Sequence, residues 1–225
     1  MIYVTGDTHR NDISRFKNFK GVTKDDKVII LGDHGFIWNN EVEKNNEVCA
    51  VIEQFPFTTI VLDGNHENHE VLKDYDIVDG FRGKVSKLSK EIVWLRRGEV
   101  YLIEGQRIFV MGGAYSIDKE YRTYMESWWP EELPNSSEYA NALKNLDNCN
   151  WEVDYVLTHT ASHYSAQTLG YEGLDQGLNK FFDTLEENLK FKHWYFGHFH
   201  HNRTIDSKHT CLYQAILPLG ETLTK

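Results

Sequence analysis

Short runs of aliphatic, β-branched and aromatic residues recur along this chain, and five of them end at side chains able to ligate a metal. These clusters are Gly6-Asp7-Thr8-His9, Gly32-Asp33, Gly64-Asn65-His66-Glu67, Thr158-His159 and Gly197-His198-Phe199-His200. A brief apolar run stopped by a turn reads as a strand buried on both faces. Ile2 to Thr5, Val28 to Leu31 and Thr58 to Leu62 fit that description, and between them Val48, Val51, Ile52 and Phe55 repeat at helical spacing. Alternating strands and helices call for parallel strands joined by helical crossovers, with the chemistry at the carboxyl ends of the strands.

The middle of the chain changes character. Val100 to Ile103 and Ile108 to Met111 flank Glu104-Gly105-Gln106-Arg107 and predict a hairpin. Residues 113–150 form an insertion rich in aromatic and acidic residues, including Trp128-Trp129-Pro130, with a helix expected from Ser137 to Leu146 behind an Asn135 to Glu138 capping pattern. This insertion is expected to act as a lid or rim. The strand pattern then resumes at Val153 to Leu157 and His193 to Phe196, while Leu174, Leu178, Phe181, Phe182, Leu185 and Leu189 mark one face of an amphipathic helix. Arg203 to Ile205 with Cys211 to Ala215 predicts a closing hairpin at an edge. With 225 residues and no linker, repeat or low-complexity tract, the expectation is one domain over residues 1–225.

Charge and cysteine content narrow the function classes. A formal charge of −10, from 34 acidic and 24 basic residues, repels phosphate backbones and anionic membranes, so nucleic acid and membrane partners are disfavoured. Cys49, Cys149 and Cys211 show neither CxxC nor zinc-finger spacing and read as reduced thiols. The N-terminus has no export pattern, and no apolar run approaches the roughly 20 residues that span a bilayer. A soluble, cytoplasmic protein is expected.

The clusters carry definite chemistry. Asp7 and His9 leave a strand two residues apart and can face the same side if the backbone turns, which Gly6 would permit. Asp33 has two carboxylate oxygens, enough to bridge two cations about 3.5–4 Å apart. Asn65 offers a neutral oxygen, His159 a nitrogen, and alternation through His198-Phe199-His200 would turn both imidazoles one way and the phenyl ring the other. Each cluster alone is common turn or packing chemistry. It is their ordered combination that is specific.

That order, GDxH, GDxx, GNH[DE], a lone histidine and GHxH, resembles the calcineurin-like metallophosphoesterases over nearly the whole chain. The resemblance implies an α/β fold in which a two-sheet β-sandwich is flanked by helices in four layers, α/β/β/α. It further implies two divalent metal ions, one held by Asp7, His9, Asp33 and His200 and the other by Asp33, Asn65, His159 and His198, with Asp33 as the bridge. The mixed oxygen and imidazole set points to Mn²⁺, with Fe or Zn²⁺ also suited and Mg²⁺ less so. The implied reaction is hydrolysis of a phosphomonoester or phosphodiester by a hydroxide that two metals activate, on a small phosphorylated substrate, with a nucleotide among the candidates. His66 is the candidate catalytic residue that assists the leaving group. Alternatives are a nuclease of the same family and a silent scaffold that kept the fold.

The phosphoprotein phosphatase branch of that family reads GDxxDRG and has an arginine before GNHE, whereas this chain has Gly35-Phe36-Ile37 and Asp63 at those places. Both of that branch's phosphate-gripping arginines are therefore missing. Arg10, His34, Tyr115, Arg122 and His163 are further residues placed near the motifs or on overhanging loops, and Trp128-Trp129 could stack on a ring or anchor the insertion to the core.

Overall fold

The computed structural model describes residues 1–172 and 177–223. Its first strands are β1 (Ile2–Thr5), β2 (Lys27–Ile30), β3 (Thr58–Val61), β4 (Ile77–Gly80), β5 (Gly83–Lys87) and β6 (Ile92–Leu95). They are followed by β7 (Glu99–Ile103), β8 (Gln106–Met111), β9 (Tyr155–Thr158), β10 (His193–Phe196), β11 (Arg203–Thr204), β12 (His209–Cys211) and β13 (Ile216–Pro218). The helices are α1 (Val42–Ile52), α2 (His69–Leu72), α3 (Ser136–Asn148), α4 (His163–Thr168) and α5 (Leu178–Asn188).

Two mixed sheets result, ordered β13-β1-β2-β3-β6-β5-β4 and β11-β12-β10-β9-β8-β7. Side-chain alternation along the central strands explains their layering. Val28 and Ile30 pack outward with Cys49 and Ile52 of α1, whereas Ile29 and Leu31 pack inward with Ile108, Val110 and Tyr195 of the second sheet. On the far face of that second sheet, Phe109, Met111, Val156 and Trp194 meet Ala142 and Leu146 of α3 and Phe182 and Leu185 of α5. Three apolar layers thus separate helices, sheet, sheet and helices, which gives the α/β/β/α sandwich. Strands buried on both faces have no polar side, which is why Val28 to Leu31 and Ile60 to Leu62 read as unbroken apolar runs.

Strands β1, β2 and β3 run parallel in one sheet, and β8, β9 and β10 run parallel in the other. Every cluster singled out in the sequence leaves the carboxyl end of one of these strands.

Several local expectations shift. The hairpin between β7 and β8 closes through Glu104 and Gly105 alone, with φ of 48° and 78°, a two-residue turn of the kind that matches strand twist. The capping box of Asn135 and Glu138 is present, and α3 runs on to Asn148. Phe55 lies beyond the end of α1 yet still packs in its cluster. Leu174 lies outside the described residues, and α5 begins at Leu178. The closing hairpin pairs β11 with His209–Cys211 rather than with Cys211 to Ala215. Leu212 is instead buried between the sheets, and the chain crosses to pair β13 antiparallel with β1. Asn202 Oδ1 stabilises that crossing by accepting from the backbone N–H groups of Tyr213 and Ala215, at 2.9 and 3.0 Å.

Candidate metal centre

The loops after β1, β2, β3, β9 and β10 converge where the two sheets meet, and their backbones are bent to do so. The turn that brings Asp7 beside His9 is made at His9 (φ 42°) and Arg10 (φ 62°), not at Gly6 as the spacing suggests. Gly6 serves a different need: a Cβ there would strike the Leu212 carbonyl. Asp33 (φ 46°), His198 (φ 66°) and His200 (φ 54°) also lie in the left-handed region. Such conformations cost about 1–3 kcal/mol per residue and gather where side chains must be aimed for function. The extended alternation expected for His198-Phe199-His200 is thereby corrected. Two left-handed residues send the imidazoles to different partners, while Phe199 enters the core.

Asp7, His9 and His200 form one group and Asp33, His159 and His198 another, with the ligating atoms of each group within 4.8 Å of one another. In the first, His200 Nε2 lies 3.1 Å and His9 Nε2 3.7 Å from Asp7 Oδ2. In the second, His159 Nε2 lies 3.2 Å from Asp33 Oδ1 and 3.2 Å from Asn65 Oδ1. Asp33 faces both groups, because its Oδ2 lies 3.8 Å from His9 Nε2. All seven side chains proposed as ligands are therefore drawn together, with His66 beside them through its backbone N–H, which donates to Asp33 Oδ1 at 2.7 Å.

Buried supports set the orientation of these groups. His159 Nδ1 donates to the Leu31 carbonyl at 2.7 Å, leaving Nε2 toward Asp33. Asn65 Nδ2 donates to Ser116 Oγ at 3.1 Å, and Ser116 Oγ donates to Glu132 at 2.6 Å, so the Asn65 carbonyl oxygen is the atom turned into the cluster. Glu67 accepts from the backbone N–H groups of Gly35 (3.1 Å) and Gly64 (2.5 Å) and so ties two of the loops together. Gly64 is required there, since a Cβ would lie against Asp33 Oδ1 and 2.7 Å from His159 Nε2.

The electrostatics are those of a site short of positive charge. Asp7 and Asp33 are buried, and among the described residues no lysine or arginine side chain pairs with either carboxylate. Burial resists charging His159, but the Asp33 carboxylate overrides it and pushes the imidazole up to about 10. His198, half-buried and facing His159, is held down at about 4 by desolvation and by that neighbour. Burial and the Asp33 charge push the Glu67 carboxyl up to about 8. Asp7 Oδ2 is buried without a hydrogen-bond donor among the described residues, and His9 Nε2 and His200 Nε2 approach to 3.0 Å. An orphaned carboxylate oxygen facing two imidazole nitrogens is a donor set fitted to a divalent cation, and Asp33, Asn65, His159 and His198 offer a second.

Other singled-out residues separate clearly. Arg122 Nη2 donates to His66 Nε2 at 2.8 Å, which makes this nitrogen an acceptor, because a guanidinium has no acceptor of its own. The His66 imidazole is held below its ordinary value by burial and by Arg122, against the Asp33 charge. Tyr115 borders the cluster together with Arg122. Arg10 lines an adjoining groove with Asn11, Trp38 and His66. His34 is buried and kept neutral, near 3, mainly by desolvation; its Nδ1 accepts from the Phe36 N–H at 3.0 Å. His163 starts α4 and pairs with Asp183 at 2.6 Å, outside both groups. Trp129 is buried edge-on against Trp38 and anchors the insertion, whereas Trp128 lies against Tyr124.

A two-sheet α/β sandwich with carboxylate and imidazole clusters at its strand ends defines a metal-dependent hydrolase. The chain belongs to the calcineurin-like phosphoesterase family, whose model matches residues 1–202. It is a metal-dependent hydrolase of phosphoric ester bonds, from a family that works with two metal ions. No curated protein sequence matches it. Among solved structures it is similar to the phosphopantetheinyl hydrolase of Mycobacterium tuberculosis, at 14% identity and a TM-score of 0.49 over 90% of this chain and 83% of that chain. That likeness is too distant to bear on the substrate. Among the described residues no helix is long and apolar enough to cross a membrane.

Proposed function

We propose that this chain hydrolyses a small phosphate ester at the cluster, with Asp7, His9, Asp33 and His200 holding one ion and Asp33, Asn65, His159 and His198 the other. Mn²⁺ is the proposed metal, and Fe or Zn²⁺ also suits the donors. The observation that carries this reading is the Asp33 carboxylate, which turns one oxygen to each imidazole group and has no lysine or arginine paired with it among the described residues. When bound, the ions supply Lewis acidity and lower the pKa of water.

The chain's own residues do the rest. Asp33 sets the spacing of the two ion sites, and the Leu31 carbonyl and Ser116 fix the ligand faces of His159 and Asn65. His66 stands at the junction of the cluster and the groove of Arg10 and Trp38, where a leaving group has room to depart. With Nε2 accepting from Arg122, the proton of the neutral ring sits on Nδ1, and we assign that N–H to the departing oxygen. We read residues 1–225 as one domain whose 113–150 segment rims the site through Ser116 and Arg122. A cytoplasmic setting is proposed from the free thiols of Cys49, Cys149 and Cys211.

The test is turnover of a series of aryl phosphates by the Mn²⁺-loaded protein and by His66→Gln. The variant should lose most on poor leaving groups and least on nitrophenolate. Equal losses across the series would remove His66 from the proton transfer, and no turnover of any phosphate ester would remove the catalytic assignment of the site.

A further inference from the structure

Arg122 lies on one wall of a cavity of about 260 Å³ that also contains Asp33, Asn65, His66, Tyr115 and His200. Among the described residues lining that cavity, it alone has a permanent positive charge. Although it comes from a surface loop, its side chain is only 11% exposed. Nε and Nη2 both donate to the Asp118 carboxylate at 2.9 Å, a two-pronged pair that fixes the plane of the guanidinium. Nη2 also donates to His66 Nε2 at 2.8 Å, and Nη1 reaches the Ser127 carbonyl only at 3.4 Å. A guanidinium has five donor hydrogens, so one on Nη1 is left without a partner among the described residues.

A cation so fixed, beside His66 and one residue from the ligand Asn65, stands where the outer oxygen of a bound phosphate would face the protein. We propose that Arg122 grips a terminal phosphate oxygen and makes this enzyme select phosphomonoesters over phosphodiesters. The inference rests on the phosphoesterase reading above. A monoester dianion has three terminal oxygens, so one remains for a protein donor when two face the ion pair. A diester has only two, and the third position holds an esterified oxygen whose carbon substituent would press against the guanidinium. Asp118 is about half exposed and leaves Arg122 only partly neutralised, which favours the more highly charged monoester.

The experiment compares p-nitrophenyl phosphate with bis(p-nitrophenyl) phosphate on the Mn²⁺-loaded wild type, Arg122→Met and Arg122→Lys, and measures inorganic phosphate binding by calorimetry. The wild type should prefer the monoester. Arg122→Met should weaken phosphate binding and lower the monoester-to-diester ratio of kcat/KM by about 10–100-fold, the worth of one charge-assisted hydrogen bond, while loss of the His66 contact lowers both esters alike and costs least with a nitrophenolate leaving group. Arg122→Lys should fall between, because it keeps the charge and loses the fork. An unchanged Tm of the Mn²⁺-loaded variant reports an intact fold and metal site. Equal losses on both esters, unchanged phosphate binding or a wild-type preference for the diester would overturn the assignment. A wild type inactive on both esters would instead overturn the phosphoesterase reading on which it rests.

Discussion

Asp33 and Asp63 are two buried carboxylates placed just beyond the ends of adjacent parallel strands, and the protein treats them in opposite ways. Asp63 receives Arg97 Nε at 2.7 Å and Nη2 at 2.5 Å, with Trp94 Nε1 at 3.1 Å. The same guanidinium reaches the carbonyls of Glu131 and Glu132 at 2.9 and 3.3 Å, tying the insertion to β3. Burial would raise the Asp63 carboxyl, but Arg97 keeps it below the ordinary range. Asp33 has histidines in place of an arginine, and its nearest, His159, is driven to take up a proton. A buried charge must be compensated. At Asp63 the chain supplies the compensation itself, and at Asp33 it leaves room for an ion to supply it.

The largest test of that contrast is Asp33→Asn, which removes the proposed bridge. Steady-state turnover of the loaded enzyme should fall by about a thousandfold or more, the scale of several kcal/mol of lost charge stabilisation. In the metal-free protein the Asp33 charge is offset by the proton on His159, so metal-free Asp33→Asn should lose some stability, but less than Asp63→Ala. A loss as large as that of Asp63→Ala would break the comparison.

Asp63→Ala should do the reverse. Leaving Arg97 buried and unpaired should cost about 3–5 kcal/mol in urea titrations, whether or not metal is present. A stability close to that of wild type would show that the ion pair is not structural.

Saturating Mn²⁺ offers a third, smaller contrast. At a hundredfold excess over the dissociation constant each bound ion should stabilise wild type by about 2.7 kcal/mol, and Asp33→Asn should gain much less, read as a shift in Tm. Equal shifts in both proteins would place the binding elsewhere.

The smallest expected effect concerns His209, whose two ring nitrogens face Glu186 Oε2 at 3.1 Å and Asp206 Oδ1 at 2.9 Å. Burial opposes its charge, but Glu186 and then Asp206 raise the imidazole above its ordinary value. Its stabilisation should therefore be complete below the unfolded pKa of about 6.5 and fade as pH rises through the raised folded value, by about 1 kcal/mol or less. In His209→Gln that part of the stability-pH curve should flatten; an unaltered curve would assign the slope to other groups.

How much of this was legible in the sequence depended on whether a local pattern encoded it. Strands β1, β2 and β10 announce themselves because burial on both faces confines polar residues to their ends, at Thr5, Lys27 and His193. The ligand clusters are legible because each is contiguous and follows such a strand. The paths of their backbones are not. The left-handed turns at His9, Asp33, His198 and His200 run against the usual preference of these residues and are imposed by the tertiary structure. Strand β4 escapes notice because its two apolar residues, Ile77 and Val78, are exposed. The Asp63–Arg97 pair and the Arg122–His66 contact join residues 34 and 56 positions apart, with no motif to connect them. The sequence marks Arg122 only as one of several residues near the motifs or on overhanging loops; its contact with His66 becomes visible when that loop is folded over the site.

The account turns on Asp33 joining two ion sites, and electron paramagnetic resonance of the Mn²⁺-loaded protein tests that most directly. Wild type should bind two ions per chain and give the spectrum of an exchange-coupled pair, and Asp33→Asn should lose the coupling. A spectrum of isolated ions in the fully loaded wild type, or uptake of a single ion, would contradict it.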